Sequence, residues 1–232
     1  MVFDKDGTLI DREVFLGTLM KSREASVAAR GLEGAVAPLR DLYGVKGDRI
    51  DPMGPLSIGH VTEELVLLAG VIYELTHRDW DTCRELARTA FLESDAALDL
   101  ARATRPTPGV VELVRALHAA GFLLAVATSD LTSRALSTLE LMGIEGLFAS
   151  VVGADMVSER KPAPESLHVV ARSLSLRPGE LLMVGDSPVD VEMARRAGCP
   201  ALLYAPEGSP GTSPTLSISS WSQVTVEGTA AP

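Results

Sequence analysis

The sequence predicts an α/β fold, a doubly wound parallel sheet with helices on both faces and an all-helical insertion near its start. Three observations predict it. The second half of the 232-residue chain alternates short, wholly apolar runs with amphipathic helical stretches, the pattern of strands buried on both faces. The first residues, Met1, Val2 and Phe3, form one more apolar, β-prone run that stops at Asp4. Between the two lies a block, residues 15–97, without a strand pattern. A three-residue strand cannot stand alone, so the first run belongs to the sheet of the second half. Residues 1–14 and 98–232 then form the core, and residues 15–97 an inserted helical domain. The shortness of the first strand also raises the expectation that the natural chain begins upstream.

In the insertion, residues 15–29 have helical spacing, and residues 36–43 form a short helix ended by Gly44. Residues 45–59 are rich in Gly, Pro and Asp and read as a loop. Residues 60–75 and 79–98 are amphipathic helices, the second capped by Asp79 or Asp81. After Pro106 the pattern changes. Helix 110–120, closed by Gly121, precedes strand 122–127, which ends at Thr128-Ser129-Asp130. Helix 131–142, strand 148–153 and helix 164–174 follow. Strand 181–184 ends at Gly185-Asp186, helix 189–197 is closed by Gly198, and strand 201–204 comes last. From Pro206 the tail is rich in Ser, Pro, Gly and Thr, and its end is expected to be weakly ordered.

Bulk properties exclude several classes. Apolar residues are 46% and charged residues 22% of the chain, as in soluble globular proteins. The net charge of -10 and the lack of a basic patch argue against nucleic acid as a partner. An anionic substrate meets an unfavourable overall field, so local cations or aimed N–H groups must hold it. The two cysteines, Cys83 and Cys199, have no metal or disulfide spacing. No run approaches the roughly 18 apolar residues of a membrane span, and no basic-then-apolar leader opens the sequence. A cytoplasmic location without membrane contact is the default expectation.

Ligands of an open parallel sheet bind beyond the carboxyl ends of its strands. The polar residues there are Asp4 and Asp6, Thr128 and Ser129, and Asp186, with Lys161 in a loop after a fourth strand. Two carboxylates two residues apart, followed by the flexible Gly7, suit a nucleophile and a proton carrier. Read alone, Asp4 and Asp6 serve equally well as solvated turn acids. Asp186 and Asp190 open a helix, where capping is the plain alternative. Crowded against Asp4 and Asp6, they would raise one another's pKa unless a cation neutralised them, and oxygen ligands favour a hard ion such as magnesium. Thr128 and Ser129 offer hydroxyls and turn N–H groups for phosphate oxygens, or a helix cap. Lys161 is a point charge suited to phosphate, with Arg160 beside it as a competitor.

Taken in order, Phe3-Asp4-Lys5-Asp6-Gly7-Thr8-Leu9, then Thr128, Lys161-Pro162, and Gly185-Asp186-Ser187-Pro188-Val189-Asp190 resemble the four motifs of the haloacid dehalogenase-like hydrolase superfamily. Lys161-Pro162-Ala163-Pro164 and the position of the insertion are similar to its phosphoglycolate phosphatase-like subgroup. The resemblance implies a Rossmann-like core with a helical cap, and a magnesium-dependent phosphatase acting on a small phosphorylated metabolite. It implies Asp4 as nucleophile and Mg2+ ligand, Asp6 as general acid/base with its carbonyl a second ligand, and Asp186 as a third. It implies Thr128, with Ser129, and Lys161 as phosphate-binding groups, and Asp190 as a support behind the ligands. The chain would act as a monomer or homodimer.

The second acid, Asp6, disfavours dehalogenation. Phosphonate cleavage through a Schiff base on Lys46, sugar-phosphate mutation, and a non-catalytic binding module remain as alternatives. Substrate choice is expected from the insertion's loop, which carries Lys46, Asp48, Arg49, Asp51, Ser57 and His60. Each of these taken singly reads as a solvated loop residue.

Overall fold

The structure, a computed structural model, describes residues 1–47, 49–206, 208 and 213–227. The chain divides into two compact units, Met1–Arg12 with Thr104–Pro232, and Glu13–Ala103.

The first unit is built on a parallel sheet of six strands. They are β1 (Val2–Phe3), β4 (Ala125–Ala127), β5 (Ser150–Val152), β6 (Met183–Gly185), β7 (Ala201–Tyr204) and β8 (Leu216–Ile218), in the order β5-β4-β1-β6-β7-β8. Central β1 sets Val2 level with Ala125 and Met183, and Phe3 level with Val126 and Val184. The ladder continues past the strand, where Asp4 N donates to Val184 O at 2.8 Å. These central residues are fully buried, which explains why their runs are apolar without alternation. Successive side chains face opposite ways. Val2 shares one apolar core with Leu167, Val170 and Ala171 of α9 (Glu165–Ser173) and Met193 and Ala194 of α10 (Pro188–Ala197). Phe3 meets the Phe148 ring edge to face at 6.3 Å. Helices α7 (Val110–Ala119) and α8 (Thr132–Leu141) complete the alternation.

Two sequence expectations need correction here. The run from residue 122 is apolar, yet Phe122 and Leu123 are exposed and β4 begins only at Ala125. The tail after Pro206 also carries structure. Strand β8 pairs parallel to β7, and a 3-10 turn over Trp221–Gln223 follows. As an edge strand with Leu216 largely exposed, β8 lacks the apolar run that marks the buried strands. Residues 228–232, where weak order is expected, lie outside the described residues.

The second unit, with α1 (Arg12–Ala28) leading into it, contains α2 (Val36–Leu42), α3 (Pro55–Ile58), α4 (Val61–Thr76), α5 (Trp80–Ala96) and α6 (Leu100–Ala103). It is not all helical. Two-residue strands β2 (Val45–Lys46) and β3 (Arg49–Ile50) pair antiparallel within the predicted loop, too short to leave a periodic signal. Asp79 caps α5 by accepting from Thr82 N at 2.9 Å. The interior holds ions as well as apolar side chains. Arg23, 3% exposed, lies 3.2 Å from Glu64 and 3.4 Å from Asp95, donates to Ser94 Oγ at 3.0 Å, and stacks on the Phe91 ring. Among the described residues no helix is long and apolar enough to cross a membrane.

Candidate active site

From β1 the chain moves outward through β4 and β5, then returns to β6 on the other side of β1 and continues through β7 to β8. The order reverses between β1 and β6. Loops diverge there and open a crevice beyond the carboxyl ends. Asp4 follows β1 and Asp186 follows β6, so the crevice is lined by acids from its first residues.

Lys161 bridges Asp4 and a further acid, Asp190. Its Nζ donates to Asp4 Oδ1 and Asp190 Oδ1, both at 2.7 Å, with the lysine side chain 8% exposed. Neighbouring Arg160 is exposed, and of the two it is Lys161 that reaches Asp4. Asp190 is fixed from behind, because its Oδ2 accepts from Ser187 Oγ at 2.6 Å in a capping box that opens α10. Asp186 is held at its edge by Arg12 Nη1, 3.0 Å from Oδ2. Two glycines make room. At Gly7, with φ of +88°, a Cβ would lie 2.0 Å from Asp186 Oδ2. At Gly185 a Cβ would lie 2.4 Å from the Asp190 carboxyl. A side chain at either position would displace an acid of the site.

Oxygens of Asp4, Asp186 and Asp190 lie within 4.8 Å of one another. The Asp6 carboxylate stands outside that group and turns to Lys5, whose Nζ is 2.6 Å from its Oδ1. Thr128 follows β4, the strand next to β1. It is buried, its Oγ1 accepts from Asp130 N at 3.1 Å, and its N donates to Val152 O. Ser129 is exposed.

The electrostatics are those of crowded acids. Burial pushes the Asp4 carboxyl up to about 7; Lys161 pulls the other way, while Asp190 and Asp6 repel. Burial, then repulsion from Asp4 and Asp190, holds Asp186 well above the usual carboxylate range. Burial alone would lower the Lys161 ammonium, but Asp190 and Asp4 outweigh it and raise the group. A divalent cation among these oxygens would relieve the repulsion. The donor set fits such an ion: hard oxygens only, two of the acids disfavoured as bare anions, and no soft ligand.

Sequence reasoning missed three charged residues around the site. Arg12 and Asp186 are 174 residues apart. Lys5 is wholly buried and lies 3.0 Å from Asp130 as well as beside Asp6. A lysine between two aspartates of a motif was the available signal, since a buried lysine requires acidic partners. In the second unit, Asp51, Ser57 and His60 serve their own loop. Asp51 Oδ1 accepts from Met53 N, Ser57 Oγ donates to Asp51 O, and His60 caps α4. Lys46 and Arg49 are exposed, and Asp48 lies outside the described residues.

Fold and site together define a class, doubly wound α/β proteins with an aspartate-and-lysine centre at the switch crevice. Residues 1–198 match the haloacid dehalogenase-like hydrolase model, and the chain belongs to that family. A phosphoglycolate phosphatase of Salmonella typhi is 40% identical over 95 residues, 41% of this chain and 38% of that protein's length. One of Rhodospirillum rubrum is 34% identical over 207 residues, 88% of this chain and 78% of that protein. In fold, the chain is similar to the crystal structure of a predicted phosphoglycolate phosphatase of Haemophilus somnus. The TM-score is 0.66, with 23% identity over 88% of this chain and 83% of that one.

Proposed function

We propose that the chain is a magnesium-dependent phosphatase that hydrolyses a small phosphomonoester through an aspartyl-phosphate on Asp4, with 2-phosphoglycolate the first substrate to test. The observation that carries this reading is the buried Asp4 carboxylate held by Lys161 at 2.7 Å and flanked by Asp186 and Asp190. The relatives named phosphoglycolate phosphatase support the substrate class.

Asp4 attacks phosphorus, and a P–O bond forms as the bond to the leaving oxygen breaks. Lys161 on Asp4 Oδ1 aims the carboxylate and offsets charge on the phosphoryl oxygens. Asp6 gives its proton to the leaving oxygen. It then takes one from the water that attacks the acyl-phosphate phosphorus and releases Asp4. Thr128, with the turn N–H groups around Ser129, binds the transferring oxygens. Asp4, Asp186 and the Asp6 carbonyl would hold Mg2+, which supplies charge neutralisation at the phosphoryl group when bound. Asp190 already gives one oxygen to Lys161 and the other to Ser187, so it positions the lysine and not the ion. The core comprises residues 1–14 and 98–232, and the insertion with its loop at residues 46–60 selects the leaving group. The test is a panel of phosphomonoesters, including 2-phosphoglycolate and p-nitrophenyl phosphate, with and without Mg2+. Magnesium-dependent release of phosphate is expected. No release from any member sinks the reading.

A further inference from the structure

Lys5 stands between the two acids of the first motif, and its side chain is entirely buried. Taking an ammonium out of water costs several kcal/mol, so it persists only where acids compensate it. Two do. Its Nζ lies 2.6 Å from Asp6 Oδ1 and 3.0 Å from Asp130 Oδ2. Asp130 is in turn locked in place. Its Oδ1 accepts from Leu131 N at 2.7 Å and lies 3.1 Å from Arg134 in the first turn of α8, and its backbone N–H donates to Thr128 Oγ1. A chain of charges thus runs from Arg134 through Asp130 and Lys5 to Asp6. Side-chain exposure along it is 15% at Arg134, 7% at Asp130, 0% at Lys5 and 23% at Asp6. One end is anchored on the loop after β4 and the first turn of α8, the middle is wholly buried at Lys5, and the most open end is the Asp6 carboxylate. Lys5 fixes Oδ1 of that carboxylate.

We propose that Lys5, anchored by Asp130, is the positioning residue for Asp6, clamping Oδ1 so that Oδ2 points at the leaving-group oxygen. The proposal rests on Asp6 as proton donor, and goes beyond it by naming what aims that donor. A buried ion pair that only stabilised the fold would be replaceable by apolar side chains of similar volume. A positioning clamp would not be, because a carboxyl free to rotate loses the alignment that proton transfer requires.

The clamp has a signature that general loss of structure lacks. An alkyl leaving group needs a proton as it departs, whereas p-nitrophenolate leaves without one. The experiment compares kcat/KM on an alkyl phosphate, 2-phosphoglycolate first, with kcat/KM on p-nitrophenyl phosphate, for wild type, Asp6→Asn, Lys5→Met and Lys5→Arg. Asp6→Asn should lose about 100-fold or more on the alkyl ester and far less on the aryl ester. Lys5→Met should reproduce the pattern, with the alkyl-to-aryl ratio falling at least ~10-fold, and Lys5→Arg should restore part of the ratio. An unchanged ratio in Lys5→Met, whether both activities fall together or neither falls, overturns the proposal when Asp6→Asn is selective. If Asp6→Asn is itself unselective, the proton-donor assignment fails and the clamp fails with it. Should Lys5→Met not fold, the double variant Lys5→Met/Asp130→Leu, which leaves no Asp130 charge without its partner, decides by the same ratio.

Discussion

The two units each bury a cluster of charges, and the clusters are built on opposite principles. In the second unit, one cation draws opposite charge around it. Arg23 faces Glu64, Asp95, the Ser94 hydroxyl and the Phe91 ring. In the first unit, like charges are forced together. Asp4, Asp186 and Asp190 lie within 4.8 Å of one another, and burial with mutual repulsion raises Asp4 and Asp186. A matched cluster specifies packing and is damaged by removing a partner. The acid cluster, although Lys161 and Arg12 already pair with it, still holds two carboxyls above their usual range and favours a further cation, which is the condition of a binding or catalytic centre. Four experiments break or sharpen this contrast.

The largest effect belongs to Asp4→Asn. It removes the nucleophile and one of the crowded charges in a single step. Turnover of any accepted phosphomonoester should fall about a thousandfold or more. The melting temperature of the metal-free protein at neutral pH should stay level or rise, since repulsion is relieved. Steady-state kinetics and calorimetry check both halves. Retained turnover refutes the nucleophile assignment, and a large loss of stability refutes the idea that the cluster is mismatched.

Arg23→Met should do the reverse. It leaves Glu64 buried without this cation, a change that costs about 3–5 kcal/mol in comparable settings. Urea unfolding would measure it, and turnover per folded molecule should change far less than for Asp4→Asn. Arg23→Met/Glu64→Leu should recover most of the lost stability. If it does not, the second unit's cluster is held by more than charge matching.

Much of this contrast was legible in the sequence on one side only. The buried strands announced themselves because a strand covered on both faces is apolar throughout, as at Leu181, Leu182, Met183 and Val184. The acids beyond them followed from the rule that such sheets bind at their carboxyl ends, and the structure brings Asp4, Asp186 and Asp190 together with Lys161. Pairings across the chain were not legible. Nothing local ties Arg12 to Asp186, Lys5 to Asp130, or Arg23 to Glu64, because side-chain charges carry no record of which distant loop will face them. Strand β8 was missed for a different reason. An edge strand half in solvent, of sequence Leu216-Ser217-Ile218, has neither a continuous apolar run nor enough residues to alternate.

The third experiment uses pH and metal. In the metal-free fold Asp4 keeps its proton up to about 7, whereas the unfolded chain releases it near 3.8. Between those values the folded state binds more protons. Stability therefore falls as pH rises through that window, and falls no further above it. Asp4→Asn lacks this contribution, so the melting temperature of wild type relative to the variant should decline across the window. Magnesium needs ionised carboxylates. Its stabilisation of wild type should be small at the acid end and grow toward about 2.7 kcal/mol at a hundredfold excess over Kd near neutrality. Scanning fluorimetry across pH, with and without MgCl2, reads both. A magnesium shift independent of pH would break the link between ion and acids.

The smallest effect tests the missed tail. Trp221 stacks flat on Tyr204, with ring centres 4.1 Å apart. Its Nε1 donates to Thr107 Oγ1 at 2.9 Å, and that hydroxyl donates to Thr8 O at 2.7 Å. The tail thus braces the turn that follows Asp4 and Asp6 through one buried threonine. Trp221→Phe keeps the stack and the Thr107 bond to Thr8 but removes the indole donor. It should cost about 1 kcal/mol, and kcat/KM should fall only a few-fold. Trp221→Ala should cost about 3–5 kcal/mol, because the ring's packing goes as well. Denaturant unfolding ranks the two. Equal losses would mean that the hydrogen bond, and not the stacked ring, seats the tail. The brace would then belong with Lys161 and Asp190 as part of the site's polar framework, not with the packing that surrounds it.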